Sequence, residues 1–198
     1  MTRKTLRARR RALPASLRRQ AAADLTRNMM TSLRFLRARN LAFYMASDGE
    51  IDVLPLMMAA LDAGKTCFLP VMVDRLQRFR RSPLVFQRFE NKEQVLVRNR
   101  WGLLEPPLDA RHQIAPQMLD LIIMPLVGFD RQGNRLGMGK GYFDRALSRL
   151  RTAYRRPTLV GAAFSFQEVA DITPQPWDIP LDGIVTEKSL CWVEGQEE

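Results

Sequence analysis

Between Asp130 and Arg145 the chain reads DRQGNRLGMGKGYFDR, with Gly137, Gly139 and Gly141 set among Arg135, Lys140 and Asp144. Alternating glycines lack Cβ atoms and reach positive φ, so consecutive backbone N–H groups can converge on an anion. Arg135 and Lys140 add positive charge. Asp144 adds a hard oxygen donor suited to a magnesium ion that bridges phosphates. The pattern describes a phosphate site. It does not follow the Walker A spacing, because Gly139-Lys140 is followed by Gly141 and position 134 is Asn134. It does not follow the dinucleotide fingerprint either, since Tyr142 stands where a third glycine is needed.

The elements around the loop must aim it. Leu119 to Asp130, LDLIIMPLVGFD, is apolar and branched enough for a buried strand, and Tyr142 to Arg155 has helical spacing and composition. The helix then opens beside the glycines and turns its unpaired N–H groups toward the same anion. Upstream, residues 2 to 38 read as two basic helices, with Pro14 starting the second. Leu41 to Ala46 reads as a strand, SDGEID (Ser47 to Asp52) as a loop, and Val53 to Ala63 as a helix closed by Gly64. Cys67 to Met72 follows as a strand, and Leu84 to Phe89 with Gln94 to Val97 as an edge hairpin. Thr158 to Phe164, Gly183 to Glu187 and a final LCWV strand complete the set. Strands alternating with helices predict one α/β domain over residues 1–198, a three-layer fold with a mainly parallel sheet between helices. Ligands of such sheets collect at the carboxyl ends of the strands, where Ser47 to Asp52, the glycine loop and Phe164 to Gln167 lie, with Trp177 to Asp182 preceding another strand.

Composition narrows the chemistry. With 198 residues, 46% of them hydrophobic, the chain can bury a full core. No apolar run approaches the ~20 residues of a membrane span, and the N-terminus lacks the apolar segment of a secretory signal, so a soluble cytoplasmic protein is expected. The single histidine, His112, argues against a Ser-His-Asp site or a polyhistidine metal centre. Cys67 and Cys191 are far apart and read as buried free thiols. The charge of +10 suggests a polyanionic partner, and Arg3, Lys4, Arg7, Arg9, Arg10 and Arg11 cluster at the N-terminus. That cluster has no interleaved aromatics, so a basic nucleic-acid-binding protein is the alternative reading on charge alone. The full inventory suits phosphoryl transfer, which relies on positioning and charge rather than on a protein nucleophile.

The ordered motifs RKTLR, SDGEID, GLLEP, MPLVGFDRQGNRLGMGKGYFDR and WDIPLDGIVTE carry a family likeness over nearly the whole chain. The sequence resembles 5-formyltetrahydrofolate cyclo-ligases, also called 5,10-methenyltetrahydrofolate synthetases, in a bacterial form. The resemblance implies ATP-dependent ring closure of 5-formyltetrahydrofolate by a monomer with no membrane and no specific nucleic-acid partner. It implies that Arg3, Lys4 and Arg7, on the basic N-terminal helices (1–38), meet the ATP phosphates. Arg135, Leu136, Gly137, Met138, Gly139, Lys140, Gly141, Tyr142 and Phe143 wrap the triphosphate, with Arg135, Lys140 and Tyr142 as the catalytic set. Asp144 and Asp178 hold Mg²⁺, Ser47, Glu50 and Asp52 line the folate site, and Met138, Lys140 and Tyr142 lie between the substrates. The family's usual tyrosine pair is Tyr142-Phe143 here, so ring packing rather than a hydroxyl serves the second position, and the N-terminal lysine of the family corresponds to Arg3 or Lys4.

Overall fold

A computed structural model describes residues 2–73, 84–91, 93–100, 102–139, 141–148, 150 and 153–193. Three helices open the chain: α1 (Arg3–Arg11), α2 (Ala15–Met30) and α3 (Leu33–Arg37). Two were expected. Ser32 breaks the second, accepting from Phe35 N as the N-cap of α3. Strand β1 (Asn40–Ala42) leads to α4 (Leu54–Asp62) and β2 (Thr66–Met72). The α4 end closes as the sequence predicts: Gly64 has φ +75°, its N–H bonds Leu61 O, and Lys65 N–H bonds Ala60 O, a Schellman motif. Next come β3 (Leu84–Phe89), β4 (Val97–Arg98), β5 (Leu104–Glu105) and β6 (Gln113–Ile114). The glycine-loop region holds β7 (Leu121–Pro125), β8 (Gly128–Phe129), β9 (Arg135–Leu136) and α5 (Tyr142–Leu147). Strands β10 (Thr158–Ala162), β11 (Gly183–Val185) and β12 (Leu190–Trp192) finish the chain.

Eight strands form one sheet in the order β12-β11-β10-β7-β1-β2-β3-β6. The five central strands are parallel, while β12 and β3 join antiparallel at the flanks. Alternation sorts β7 into two faces. Leu121 and Ile123 enter a core with Leu25, Met29 and Phe35, whereas Ile122 and Met124 enter a second core with Phe86, Leu147 and Ile184. Both faces of the strand are therefore buried, which is why it reads as a continuous apolar run.

Several expected boundaries change. β1 ends at Ala42 because the chain leaves the sheet after Phe43, and the Tyr44 hydroxyl donates to Ile51 O (2.7 Å) to close the following loop. The edge hairpin is not built from residues 84–89 and 94–97: β3 pairs with β6, and β4 pairs with β5. Val95 and Val97 are exposed, and Val97 joins the separate β4–β5 pair instead of the main sheet. The expected long strand before the glycine loop ends at Pro125, and β8 turns back onto β9 as a separate hairpin. α5 stops well short of Arg155, since residues 153–155 are non-helical. There the chain must place Arg155 on Asp120 (3.1 Å) and Arg156 on Asp182 at the entry to β10.

Candidate active site

Sheet order locates the site. From β1 the chain crosses through α4 to β2 on one side, whereas from β7, on the other side of β1, it proceeds through α5 to β10. The loops after β1 and β7 therefore diverge, and the crevice between them is a topological switch point, the usual ligand position in open α/β sheets. One of these loops is SDGEID and the other leads to the glycine loop, so the topology places both candidate substrate loops at one crevice.

Helix α1 lies across this edge. Arg10, fully buried, donates from Nη1 to Leu126 O (3.0 Å) after β7, from Nε to Asp48 O (2.9 Å) and from Nη2 to Asp48 Oδ2 (2.8 Å) after β1. Its Nη2 also approaches Met138 Sδ (3.8 Å) in the glycine loop. The Leu126 and Val127 carbonyls accept from the amide of buried Gln167 at 3.2 and 2.9 Å, which ties in the loop after β10. Arg9 stacks over Phe166 (4.3 Å), whose ring lies parallel to Phe164. The three loops singled out in the sequence thus meet at α1.

On the β1 side, Glu50 accepts from Ser47 N (3.0 Å) and Ser47 Oγ (3.3 Å) and lies 3.6 Å from Arg10. Burial pushes its carboxyl above the usual value, opposed by the Ser47 hydrogen bonds and the Arg10 charge. Asp52 behaves differently. It is exposed and accepts from Leu54 N (2.9 Å), holding the entry to α4.

On the β7 side, buried Asp130 builds the hairpin. It accepts from Gln132 N, Asn134 N, Asn134 Nδ2 and Ile172 N, all within 3.0 Å. This turn delivers Arg135, whose side chain is 6% exposed, to Ile179 O and Asp144 Oδ1. Burial lowers the Arg135 pKa, and the charges of Asp144 and Asp178 oppose the shift. Asp178 also accepts from Gln175 N (2.9 Å). Arg135 thus brings the influence of both predicted metal carboxylates to one point. Gly139 and Gly141 take φ +86° and +59°, the conformations that favour glycine, and Gly141 precedes α5 as its N-cap. Arg145 stacks on the Tyr142 ring at 5.2 Å, and Met138 is about half exposed. Leu136, Gly137 and Phe143 are partly exposed in the same segment, while Lys140 lies outside the described residues.

No group of three or more His, Cys, Asp or Glu side chains forms a metal cluster among the described residues. Two carboxylates suit a magnesium ion whose remaining ligands are phosphate oxygens and waters, so Asp144 and Asp178 fit the predicted metal in donor type. Arg3 and Lys4 are exposed on α1, while Arg7 is paired with Asp48. Arg10, Asp48 and Asp130 were not among the predicted site residues. Asp48 and Asp130 carried signals in the sequence, an Asp-Gly turn and an aspartate before a glycine-containing hairpin, whereas nothing local sets Arg10 apart from its basic run. Much of the N-terminal charge meets acid here, since Arg7, Arg10 and Arg11 all approach Asp48. Cys67 is buried, with its thiol pushed up to about 12, but Cys191 is exposed on the edge strand, contrary to the expected burial.

Known proteins resemble this chain in sequence and in fold. The family model described as the 5-formyltetrahydrofolate cyclo-ligase family matches residues 1–187. A protein of Escherichia coli K12 named 5-formyltetrahydrofolate cyclo-ligase is 37% identical, over 94% of this chain and 98% of its own. One of the same name from Haemophilus influenzae is 33% identical over 87% and 89%. The solved 5,10-methenyltetrahydrofolate synthetase of Aquifex aeolicus superposes with a TM-score of 0.80 at 30% identity, covering 99% of this chain and 93% of that one. The corresponding Mycoplasma pneumoniae structure, at 22% identity and a TM-score of 0.70, shares the fold. With a family model that matches residues 1–187 and relatives similar over nearly their whole length, the chain belongs to the 5-formyltetrahydrofolate cyclo-ligase family.

Proposed function

We propose that this protein closes the ring of 5-formyltetrahydrofolate to 5,10-methenyltetrahydrofolate at the expense of ATP. The observation that carries the reading is the convergence of the SDGEID loop and the glycine loop on one switch-point crevice, bridged by Arg10, in a chain of this family.

The chemistry requires activation of a poor leaving group. The formyl oxygen of the N5 amide attacks the γ-phosphorus of ATP, and ADP departs. The N10 amine then attacks the activated carbon, and the C–O bond breaks. The former formyl oxygen and the N10 proton leave together as hydrogen phosphate, and the product is the methenyl cation. No protein nucleophile takes part, so the side chains supply position and charge.

In this reading Arg3, Lys4 and Arg7 meet the phosphates from α1, and the segment from Arg135 to Phe143 wraps them. Arg135 and Lys140 stabilise charge on the transferring group. Asp144 and Asp178 are the carboxylates that would hold magnesium, whose charge when bound neutralises phosphate oxygens. Ser47, Glu50 and Asp52 serve the folate side, where carboxylates accept from pterin N–H donors. Met138, Lys140 and Tyr142 stand between the substrates. The whole chain, residues 1–198, acts as one cyclo-ligase domain.

The test is turnover. Purified protein with 5-formyltetrahydrofolate, ATP and Mg²⁺ develops the near-ultraviolet absorbance of the methenyl product. Product that fails to form, or that forms equally well without ATP, overturns the reading.

A further inference from the structure

Asp48 is unusual in two independent ways. It is the described non-glycine residue with positive φ (+50°), a conformation rarely adopted by side chains other than Asn and Asp. Its carboxylate also meets three guanidiniums: Arg7 Nε at 2.7 Å, Arg10 Nη2 at 2.8 Å and Arg11 Nη1 at 3.4 Å. The neighbouring Gly49 (φ +75°) lies so close to α1 that a Cβ there would be 3.0 Å from Arg11 Cα and 3.1 Å from the Arg10 carbonyl. The Asp48–Gly49 turn is therefore seated directly on the last turns of α1, and Arg10 locks it there through the Asp48 and Leu126 carbonyls.

The geometry at Arg7 matters most. Arginine has five N–H donors, of which the two Nη groups form the fork that grips a phosphate. Asp48 engages Arg7 through Nε. That contact fixes the plane of the guanidinium without consuming the fork, and the side chain stays 37% exposed. Even with Glu50 beside Arg10, three guanidiniums face two carboxylates, which leaves an excess of positive charge for an anion.

We propose that Asp48 is a positioning residue for the nucleotide, holding Arg7 by Nε so that its Nη fork is preorganised for the ATP phosphates. The inference rests on the cyclo-ligase reading, and on Arg7 as a phosphate ligand within it. Because Asp48 belongs to the loop expected to hold folate, the folate side of the crevice sets the position of a nucleotide contact.

A double-mutant cycle tests this. Asn tolerates the left-handed conformation, so Asp48→Asn keeps the turn while removing the charge. The Kd of a non-hydrolysable ATP analogue is measured by calorimetry for the wild type, Asp48→Asn, Arg7→Gln and the double variant. Each single change raises Kd about tenfold, near the low end for a charge-assisted hydrogen bond. In the Arg7→Gln background, Asp48→Asn adds no more than about twofold, because it acts through Arg7. Multiplicative effects would show that Asp48 is only a clamp on α1 and overturn the proposal. An unchanged Kd in either single variant overturns it too. Wild-type turnover, measured in parallel, tests the cyclo-ligase reading separately: turnover with a multiplicative cycle removes this proposal alone.

Discussion

The Arg135 guanidinium donates to the Asp144 carboxylate across the glycine loop, joining a residue proposed to stabilise phosphoryl charge to one proposed to hold magnesium. A cation proposed at Asp144 shares a two-oxygen carboxylate with Arg135, which holds Oδ1 and repels a second positive charge. The first prediction is that Asp144→Asn raises the Mg²⁺ concentration for half-maximal turnover by about tenfold, since one of the two carboxylates proposed to hold the metal is lost. An unaltered metal requirement in a magnesium titration would reassign the ligand.

Lys140 is tested by what it leaves untouched. If its ammonium stabilises the transferring phosphoryl group, Lys140→Ala lowers kcat by ~10²-fold or more. The fold is unaffected, as far-ultraviolet dichroism and the denaturation midpoint will show. Unchanged kinetics removes Lys140 from the catalytic set.

Asp130 has the opposite profile. Its carboxylate is fully buried and satisfies three backbone N–H groups and the Asn134 amide. Asp130→Ala strands those donors away from water, which costs about 3 kcal/mol or more. Urea denaturation measures the loss, and a cost below about 1 kcal/mol would mean that water replaces the carboxylate. Gly133→Ala in the same turn is also disruptive, because φ is +84° and the new Cβ would lie 2.5 Å from Leu181 O. Gly137→Ala has open space around it, so the fold tolerates it, and a weakened ATP affinity there would report a ligand contact.

Local pattern carried much of this structure. The buried central strand, the Gly64 cap and the mainly parallel character of the sheet follow from apolar runs, turn residues and strand–helix alternation, whereas the order of the strands did not. The extent of α5 did not, because Arg155 and Arg156 leave helical conformation to meet Asp120 and Asp182, partners distant in sequence. The edge pairing of β3 failed for a related reason. Val95 and Val97 have strand composition, but the free edge of β3 pairs with Gln113 and Ile114, and Val97 pairs with Glu105 instead. At the site, the glycine loop was legible by composition. Arg10 was not, since an arginine among six basic residues gives no sign that it alone is fully buried between two loops.

Asp48 and Glu50, two residues apart, give stability opposite dependences on pH. The Arg7 hydrogen bond, aided by Arg10, holds the Asp48 carboxyl below its ordinary 3.8, so its contribution is present above that value and lost as pH falls through the lowered one. Burial raises Glu50 above its ordinary 4.5, so its contribution is present below 4.5 and lost as pH rises through the raised value. Asp48→Asn is therefore less stable than the wild type at neutral pH, and the difference closes in acid. Glu50→Gln differs least in acid and gains on the wild type as pH rises above 4.5. Urea midpoints across about pH 3 to 8 measure both differences. Parallel slopes for the two variants would show that the Arg10 charge, rather than burial, governs Glu50.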